Sequence, residues 1–535
     1  MTTLDDKMQV EPILAVEGLR VALPKGADRP FAVDDVSFAL RPGEILCVVG
    51  ESGSGKSVLS SAVMGAPPSG LKIAGGSVRL GGRELMGQSE RAWQAIRGKE
   101  IAMIFQEPMA SLNPAVRVGR QIEEVFELHV DWPRAKRQER ALALIREMSL
   151  PDPERIAVSY PHQLSGGQCQ RIVIAMALAM NPRVLIADEP TTALDVTTQA
   201  QVLRLVRELR DKHGHAIVFI THDFGVVAEI ADRIAVMRYG KIVEIGEAKQ
   251  ILEHPRHEYT RQLIAAVPSM VPAERPRIPK EAVEQPALKA EHIVKQYGGV
   301  RALDGVSLSL PKGTTIAIVG ESGSGKSTLA RVVVRLTDAN QGHAFVGGVD
   351  FLKLMGAELR RRRRAIQMVF QDPFGSLNPR RRVGDIITRA GVLAGQTPAV
   401  ARERTYELLE LVGLPRQSFE RRPSAFSGGQ RQRIGIARAL AMSPEILIAD
   451  ESVSALDVSV QAQVLELLKD LQAKLGLSIL FITHDLRVAA QISDWIAVIQ
   501  RGKVVEFGEA AAVLSAPRHP YTQTLIASAP GRLHF

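Results

Sequence analysis

The sequence predicts an α/β protein in which a domain of alternating strands and helices occurs twice. Three observations predict this: a length of 535 residues, five motifs that recur in one order, and short apolar runs that lead into polar turns. At roughly 150 residues per domain, the length indicates three to four domains. Short apolar runs that end in glycine or acidic residues are typical of parallel strands buried on both faces.

Composition narrows the class of protein. Hydrophobic residues make up 45% and charged residues 23% of the chain, as in globular proteins with large cores. The net charge of +9 suits nucleic acid, an anionic membrane or a polyphosphate ligand and selects none of them. Cys47 and Cys169 form no CxxC pair, so we expect no disulfide scaffold, no iron–sulfur cluster and a reducing compartment. We expect no signal peptide, and no apolar run reaches the roughly 20 residues of a membrane span.

The repeated motifs divide the chain into two halves. They are GESGSGKS (50–57 and 320–327), FQ-x-P with SLNP (105–114 and 370–379), SGGQ (165–168 and 427–430), LIADE (185–189 and 447–451) and ITHD (220–223 and 482–485). Lys56 and Lys326 are 270 residues apart, and His222 and His484 are 262 apart. A stretch with five prolines, Val267–Leu288, separates the halves. We expect a first domain at 1–266, a linker at 267–288 and a second domain at 289–535.

The first motif of each half has the pattern of a phosphate-binding loop. Apolar runs at Ile45–Val49 and Thr315–Val319 lead directly into it, as the strand–loop–helix context requires. Glycines let backbone N–H groups face phosphates, the lysine reaches the β- and γ-phosphates, and the serine hydroxyl binds Mg²⁺. The predicted nucleotide-binding residues of these loops are Gly50, Ser52, Gly53, Gly55, Lys56 and Ser57, and Gly320, Ser322, Gly323, Gly325, Lys326, Ser327 and Thr328.

The LIADE motif ends an apolar run in two carboxylates. Ligands lie at the carboxyl ends of strands in parallel sheets. We therefore predict that Asp188 and Asp450 hold Mg²⁺, with Ser57 and Ser327. Glu189 and Glu451 are predicted to polarise the attacking water, because phosphoryl transfer depends mainly on positioning and electrostatics.

An SGGQ segment between a P-loop and a DE strand, followed by a histidine, resembles the ATP-binding cassette (ABC) family across both halves. The resemblance implies two tandem nucleotide-binding domains, each a RecA-like P-loop core with a helical subdomain and a small antiparallel β-subdomain. It also implies that the signature segment of one half caps the γ-phosphate bound by the other, so that 50–57 pairs with 427–430 and 320–327 with 165–168. These signature residues are Ser165, Gly166, Gly167 and Gln168, and Ser427, Gly428, Gly429 and Gln430.

The resemblance assigns further roles residue by residue. Gln106 and Gln371 resemble the residue that contacts the metal and water and links them to the transport partner. Asp195 and Asp457 resemble the loop that crosses the dimer interface. His222 and His484 resemble the switch histidine that contacts the γ-phosphate and contributes to hydrolysis.

Two departures from the family pattern are visible. Tyr297 stands where the family stacks adenine on an aromatic ring, but the first half has Leu23 there, with Phe31 the nearby ring. The second half reads DESVSALD, with Ser452 and Val453 in place of Pro and Thr or Ser. Both glutamates, histidines and P-loop lysines are retained, so we expect two hydrolysing sites.

The SLNP motif, together with HPRHEYTRQLIAAVP (254–268) and APRHPYTQTLIASAP (516–530), is similar to the ATPases of di- and oligopeptide importers, including fused glutathione types. This implies two membrane permease subunits, an extracytoplasmic solute-binding protein and a peripheral position at the cytoplasmic face of the inner membrane. A duplicated ribosome-associated ATPase and an importer ATPase for a non-peptide solute are the alternatives. Tyr259 and Tyr521 are predicted to be core residues of a C-terminal helix, and the run Arg360–Arg364 a solvated face beside the nucleotide or a membrane partner, with no direct nucleic-acid binding.

Overall fold

The structure is a computed structural model that describes residues 11–192, 194–273, 280–454 and 456–531. The chain divides into two compact units, the first built mainly from residues up to Val267 and the second mainly from Pro268 onward. None of the helices in these ranges combines the length and hydrophobicity that a membrane span requires.

The described part of the first unit contains two sheets, and its helices are interspersed with the strands along the chain. Its strands are β1 (Leu14–Ala22), β2 (Phe31–Leu40), β3 (Ile45–Val49), β4 (Lys72–Leu80), β5 (Arg83–Glu84), β6 (Ile101–Ile104), β7 (Val184–Asp188), β8 (Ala216–Thr221), β9 (Arg233–Arg238) and β10 (Lys241–Glu247). Its helices are α1 (Lys56–Val63), α2 (Glu90–Ile96), α3 (Pro108–Ser111), α4 (Val118–His129), α5 (Arg134–Glu147), α6 (Pro153–Val158), α7 (Gly166–Leu178), α8 (Val196–His213), α9 (Phe224–Ile230), α10 (Ala248–Glu253) and α11 (Glu258–Ala265).

The second unit repeats this order. Its strands are β11 (Leu288–Tyr297), β12 (Val300–Leu310), β13 (Thr315–Val319), β14 (Gln341–Val346), β15 (Val349–Asp350), β16 (Ile366–Val369), β17 (Ile446–Asp450), β18 (Ser478–Ile482), β19 (Trp495–Gln500) and β20 (Lys503–Glu509). Its helices are α12 (Lys280–Glu284), α13 (Lys326–Val333), α14 (Gly356–Arg362), α15 (Val383–Leu393), α16 (Pro398–Leu411), α17 (Gly428–Leu440), α18 (Val458–Leu475), α19 (Leu486–Ile492), α20 (Ala510–Ser515) and α21 (Pro520–Ala527).

Each unit has a mostly parallel core sheet and a separate antiparallel sheet. Among the described residues, the core sheets have the strand orders β10-β9-β3-β8-β7-β6 and β16-β17-β18-β13-β19-β20. The antiparallel sheets have the orders β2-β1-β4-β5 and β12-β11-β14-β15. In each core sheet only the hairpin strand at one edge, β10 or β20, runs antiparallel to its neighbour. The predicted α/β fold, with a P-loop core and a small antiparallel subdomain in each half, is confirmed.

Burial explains why the apolar motif runs form the central strands. All five residues of β3, β7, β13 and β17 are buried, so each strand packs against helices on both faces. In β1 the buried side chains are Leu14, Val16, Leu19 and Val21, and a register shift after Val16 keeps the two pairs on the core side. The P-loops and LIADE motifs therefore emerge at the same edge of a rigid sheet.

The helical subdomains are inserted between neighbouring core strands. In the first unit, α4 to α6 lie in the chain between β6 and β7, with Ile122, Phe126 and Ile145 fully buried. In the second unit, Ile387 and Leu408 of α15 and α16 pack with Phe419 in one core cluster. The predicted linker lies partly outside the described residues. Its residues from Pro268 onward belong to the second unit, where the Gln491 side chain donates to the carbonyls of Ser269 (3.1 Å) and Val271 (3.2 Å).

Candidate active sites

The P-loop of each unit has a backbone path that only glycine can follow at its first position. Gly50 has φ of 154°, and a Cβ there would lie 2.2 Å from the carbonyl oxygen of Met237. Gly320 has φ of 152°, with the same 2.2 Å approach to the carbonyl of Ile499. The sheet backbone therefore shapes the loop directly, and any side chain at these positions would displace it.

The P-loop lysines are buried in the curve of their own loops. The Lys56 ammonium donates to the carbonyls of Gly50 (2.6 Å) and Glu51 (3.0 Å) and has 5% of its surface exposed. Lys326 donates to the carbonyls of Gly320 and Glu321, both at 2.8 Å. Burial lowers the pKa of Lys326. Each loop thus holds its lysine ammonium through two of its own carbonyls, within a type of loop that binds anions through its N–H groups.

A serine hydroxyl and an aspartate form an oxygen pair beside each lysine. The Ser57 hydroxyl donates to Asp188 Oδ1 at 3.2 Å, and the Ser327 hydroxyl donates to Asp450 Oδ1 at 2.9 Å. Burial raises the pKa of both aspartates. Hard oxygen ligands of this type fit Mg²⁺, which keeps several of its waters and binds one or two carboxylates together with substrate phosphates.

The glutamate after each aspartate is the centre of a polar cluster. In the first unit, Glu189 Oε2 accepts from Gln106 Nε2 (3.2 Å) and the Thr192 hydroxyl (2.9 Å) and lies 3.2 Å from His222 Nδ1. Burial alone would raise the pKa of Glu189, but the hydrogen bond and charge of His222 outweigh it and lower the pKa to about 2. The side chain is therefore a carboxylate at neutral pH.

The second unit repeats the cluster with one difference. Gln371 Nε2 donates to Glu451 Oε2 at 2.8 Å, and His484 Nδ1 lies 3.7 Å from Glu451 Oε1. Burial opposes ionisation of Glu451, yet the nearby His484 lowers its pKa overall. Ser454, the counterpart of Thr192, donates to the main-chain carbonyl of Glu451 rather than to its carboxylate.

The backbone of both glutamates is strained, which the sequence did not predict. Glu189 has φ of 47° and Glu451 φ of 44°, in the left-handed region that non-glycine residues rarely adopt. Their N–H groups donate to the carbonyls of Ile220 and Ile482, both at 2.9 Å. Strain of this kind persists only where the surroundings impose it, and it aims each carboxylate out of the strand end.

The SGGQ segments begin helices and carry reciprocal caps. The Ser165 hydroxyl accepts from the N–H of Gln168 (3.3 Å), and the Gln168 side chain accepts from the N–H of Ser165 (2.9 Å). Ser427 and Gln430 repeat this at 3.3 and 3.1 Å.

The two glycines of each SGGQ segment differ in their surroundings. A Cβ on Gly167 would lie 2.4 Å from the Thr198 methyl group, whereas a Cβ on Gly166 would meet nothing within 4 Å. Packing against Thr198 therefore explains why residue 167 is a glycine. The space beside Gly166 is open, so a ligand can approach its backbone.

The remaining predicted residues lie in the P-loops, at the start of α13, or directly before α8 and α18. Gly53 and Gly323 have φ of 75° and 76°, and the loop glycines Gly55 and Gly325 precede α1 and α13. Ser52 and Ser322 are exposed, Thr328 lies in the first turn of α13, and Asp195 and Asp457 directly precede α8 and α18.

Aromatic rings are distributed differently around the two P-loops. Tyr297 ends β11 with 48% of its surface exposed, and the Lys295 ammonium lies 5.0 Å from its ring centroid. Leu23 and Phe31 are half-buried in the first unit. Tyr239, which sequence reasoning missed, is 66% exposed. It lies in a turn, and the N–H of the next residue, Gly240, donates to the P-loop carbonyl of Ser54. The sequence signal that could have identified Tyr239 is an aromatic residue directly before the glycine of a turn, in RYGK (238–241).

The arginine run does not lie beside the predicted nucleotide site, which was one of the two positions expected for it. Arg360–Arg364 ends α14 and forms the turn that leads into β16, whose opposite end carries Gln371. It lines a cavity of about 520 Å³ with Gln396 and Glu445. The run is thus at the amino end of the parallel strands.

Family comparisons agree with this geometry. The ABC transporter family model matches residues 33–192 and 303–454, and the model for the oligopeptide/dipeptide transporter C-terminal region matches residues 243–297 and 505–532.

Curated relatives match over nearly the whole chain. The peptidoglycan transport ATP-binding protein YejF of Agrobacterium fabrum is 45% identical over 531 residues, covering 97% of this chain and 96% of that protein. The glutathione import ATP-binding protein GsiA of Escherichia coli K12 is 43% identical over 571 residues, covering 98% and 90%.

Among solved structures, a dimeric ATP-binding cassette in a post-hydrolysis state with ADP and phosphate is 27% identical, with a TM-score of 0.40, and covers 44% of this chain and 98% of its own. The two family-model matches span more than half of the chain, and each covers one set of the motifs described above. The chain therefore belongs to the ABC transporter family, as an ATPase with two cassettes in one polypeptide.

Proposed function

We propose that this chain is the ATP-hydrolysing subunit that energises uptake of peptides or related small solutes through an ABC importer. It would act from the cytoplasmic face of the inner membrane with two permease subunits and an extracytoplasmic solute-binding protein. The observation that carries the proposal is the oligopeptide/dipeptide transporter C-terminal region, which matches behind both cassettes. The relatives that match nearly the whole chain, one named for peptidoglycan transport and one for glutathione import, support the same class of cargo.

The chemistry of each cassette follows from its side chains. Lys56 and the P-loop N–H groups bind the β- and γ-phosphates, and Ser57 and Asp188 would hold Mg²⁺, which would neutralise charge on the phosphates. Glu189 accepts a hydrogen bond from the attacking water and aligns it with the γ-phosphate. His222 Nδ1 lies 3.2 Å from that carboxylate. In this proposal the histidine also contacts the γ-phosphate.

The second cassette uses the counterparts of these residues. Lys326 takes the place of Lys56, and Ser327 and Asp450 form the metal-binding pair. Glu451 positions the water, with Gln371 and His484 beside it. Both cassettes therefore hydrolyse ATP in this proposal. The pairing of each P-loop with the signature segment of the other half stays a prediction from the family resemblance.

An apolar groove next to Gln371 supports contact with a permease. Leu336, Phe370 and Leu393 are 55%, 38% and 63% exposed and line a groove of about 330 Å³ between the core and the helical subdomain. Gln371, the next residue after Phe370, donates to the carboxylate of Glu451. A cytoplasmic helix of a permease seated in this groove would reach the hydrolysis site through one side chain.

The groove can be tested separately from ATP chemistry. Leu393→Glu should abolish co-purification of the permease subunits and leave the ATPase rate of the isolated chain within twofold of wild type. Leu475→Glu, at another partly exposed leucine outside the groove, is the matched control and should retain the partners. Equal recovery of permeases with both variants would contradict this docking surface.

The decisive experiment for the whole proposal is affinity purification of the tagged chain from detergent-solubilised native membranes, with mass spectrometry of the partners. Two polytopic membrane proteins and a solute-binding protein are expected, and the ligand of that binding protein then identifies the cargo. Ribosomal proteins without membrane partners would refute the transport role and leave the ATPase assignment intact. A binding protein loaded with a non-peptide solute would refute the peptide assignment alone.

A further inference from the structure

A tyrosine from the C-terminal helix of each unit reaches the P-loop of the same unit. In the first unit the hydroxyl of Tyr259, on α11, accepts from the N–H of Glu51 and donates to Glu51 Oε2, both at 3.2 Å. In the second unit the hydroxyl of Tyr521, on α21, accepts from the N–H of Glu321 at 2.9 Å. The tyrosines have exposed fractions of 4% and 8%, and the glutamates that they contact are half-buried. The same contact thus forms twice, from residues 208 and 200 positions apart.

The segment before each tyrosine is fastened to the core sheet hairpin. Glu244 of β10 accepts from the N–H groups of Arg256 (2.8 Å) and His257 (3.0 Å), and His257 Nδ1 accepts from the N–H of Tyr259 (3.1 Å). The second unit repeats this arrangement with Glu506, Arg518 and His519 at 2.8 and 3.0 Å. Each tyrosine is therefore held at a fixed position relative to the sheet.

The glutamate that the tyrosine contacts is continuous with the lysine site. Glu51 is the second residue of GESGSGKS, and its carbonyl, like that of Gly50, accepts from the Lys56 ammonium. A hydroxyl that fixes the N–H of Glu51 therefore limits the movement of the two carbonyls that hold the lysine.

The tyrosine hydroxyls keep their protons in this environment. Burial raises the pKa of Tyr259, and it raises the pKa of Tyr521 to about 12. A neutral hydroxyl can accept and donate at once, as Tyr259 does. The Arg238 guanidinium, 4.5 Å from the ring centroid of Tyr259, adds a contact that depends on the ring alone.

We propose that Tyr259 and Tyr521 are positioning residues that hold each P-loop in the conformation that binds the phosphates of ATP. The C-terminal region that matches the oligopeptide/dipeptide transporter model then has a role within the nucleotide site itself. This inference rests on the proposed function of both P-loops as ATP sites. It adds to the sequence prediction, which treated both tyrosines only as core residues.

The test is the double variant Tyr259→Phe with Tyr521→Phe in the full-length chain, assayed for KM and kcat of ATP hydrolysis and for thermal stability. Phenylalanine keeps the ring packing and the Arg238 contact and removes only the hydroxyl. Leaving the N–H groups of the half-buried Glu51 and Glu321 without these hydroxyl acceptors should raise KM about fivefold to thirtyfold, with kcat within twofold of wild type. Tyr406→Phe is the matched control, because its ring stacks on Phe419 in the helical subdomain, 4.8 Å between centroids.

A double-mutant cycle with Glu51→Ala tests whether Tyr259 acts on KM through its contact with Glu51 or only through ring packing. The hydroxyl donates to the Glu51 carboxylate, so the effects of Tyr259→Phe and Glu51→Ala on KM should be less than additive when combined. Unchanged KM with a lowered melting temperature, a fall in kcat alone, or strict additivity would each overturn the proposal. The single variants are measured as well, so that poor folding of one leaves the other as the test.

Two further variants separate this proposal from the assignment of the P-loops. If Lys56→Ala with Lys326→Ala binds ATP as wild type does, the proposed ATP sites are wrong. If that variant loses ATP binding while the phenylalanine variants behave as wild type, only the positioning role is wrong.

Discussion

Replacing the two glutamates by glutamine tests the hydrolytic assignment most directly. Glu189→Gln and Glu451→Gln remove a negative charge and preserve side-chain size, so the variants should fold. The Glu189 carboxylate receives hydrogen bonds from Gln106 and Thr192 and lies beside His222. Glutamine offers one acceptor oxygen in place of two, so it can satisfy only part of this cluster and cannot polarise a water as a carboxylate does.

The expected loss can be worked from the geometry. A positioned carboxylate that takes up a proton contributes about 10²- to 10⁴-fold, or roughly 3–5 kcal/mol of barrier. If the two cassettes turn over independently, each single variant should keep only the share of the wild-type rate that the other cassette supplies, and the double variant should lose about 10²- to 10⁴-fold. A single variant that loses nearly all activity would mean that each site hydrolyses ATP only when the other site is intact. ATP affinity should stay near wild type, because the P-loop lysines are untouched.

The assay is phosphate release at saturating Mg-ATP, with ATP affinity measured by equilibrium binding and folding by thermal melting. Glu253→Gln, an exposed glutamate at the end of α10, is the control for loss of a surface charge. A folded double variant that hydrolyses ATP at the wild-type rate would refute the role of both glutamates.

Three further outcomes are expected from single changes. Lys56→Ala should weaken ATP binding by the first cassette roughly tenfold to a hundredfold by equilibrium titration, because charge-assisted hydrogen bonds to phosphate are lost, while Lys249→Ala on the surface should match wild type. Gly167→Ala should destabilise the fold by about 1–3 kcal/mol in thermal melting, because its methyl group would clash with Thr198. Gly166→Ala should keep wild-type stability and lower the ATPase rate. Equal stability of both variants would contradict the packing argument. Tyr297→Ala should weaken nucleotide binding by the second cassette by roughly fivefold to a hundredfold, and Tyr297→Phe should restore it if the ring stacks on the base.

The sequence predicted the parts of each site that are local in the chain. A P-loop places its lysine and serine at the start of the helix that follows a strand, and the spacing of GESGSGKS determines this without any tertiary information. The adjacent Asp188 and Glu189 were also readable, because the apolar run before them has the length and composition of a buried central strand.

What the sequence could not predict are contacts that depend on tertiary placement. The approach of Tyr259 to Glu51 joins residues 208 positions apart, and no local pattern encodes which face of α11 meets the P-loop. The contact of Thr192 with the Glu189 carboxylate depends on the left-handed backbone of Glu189, which glutamate seldom adopts. Local propensity argues against such a conformation, so only the folded surroundings can specify it.

The comparison of the two halves bears on whether both hydrolyse ATP. Each half keeps its serine–aspartate pair within hydrogen-bond distance, at 3.2 and 2.9 Å, and its glutamine–glutamate pair, at 3.2 and 2.8 Å. The departures in DESVSALD fall elsewhere: Ser452 and Val453 are buried, and Val453 packs in the apolar core of the second unit.

Ser454, the counterpart of Thr192, differs in its contact with the catalytic glutamate: its hydroxyl donates to the main-chain carbonyl of Glu451, whereas the Thr192 hydroxyl donates to the Glu189 carboxylate. A hydrogen bond to a charged group contributes about 1.5–3 kcal/mol, so the missing donor corresponds to roughly tenfold to a hundredfold in rate if its whole effect falls on the hydrolytic step. If both cassettes hydrolyse ATP as proposed, we expect the second to be the slower, and the separate glutamine variants would measure that ratio.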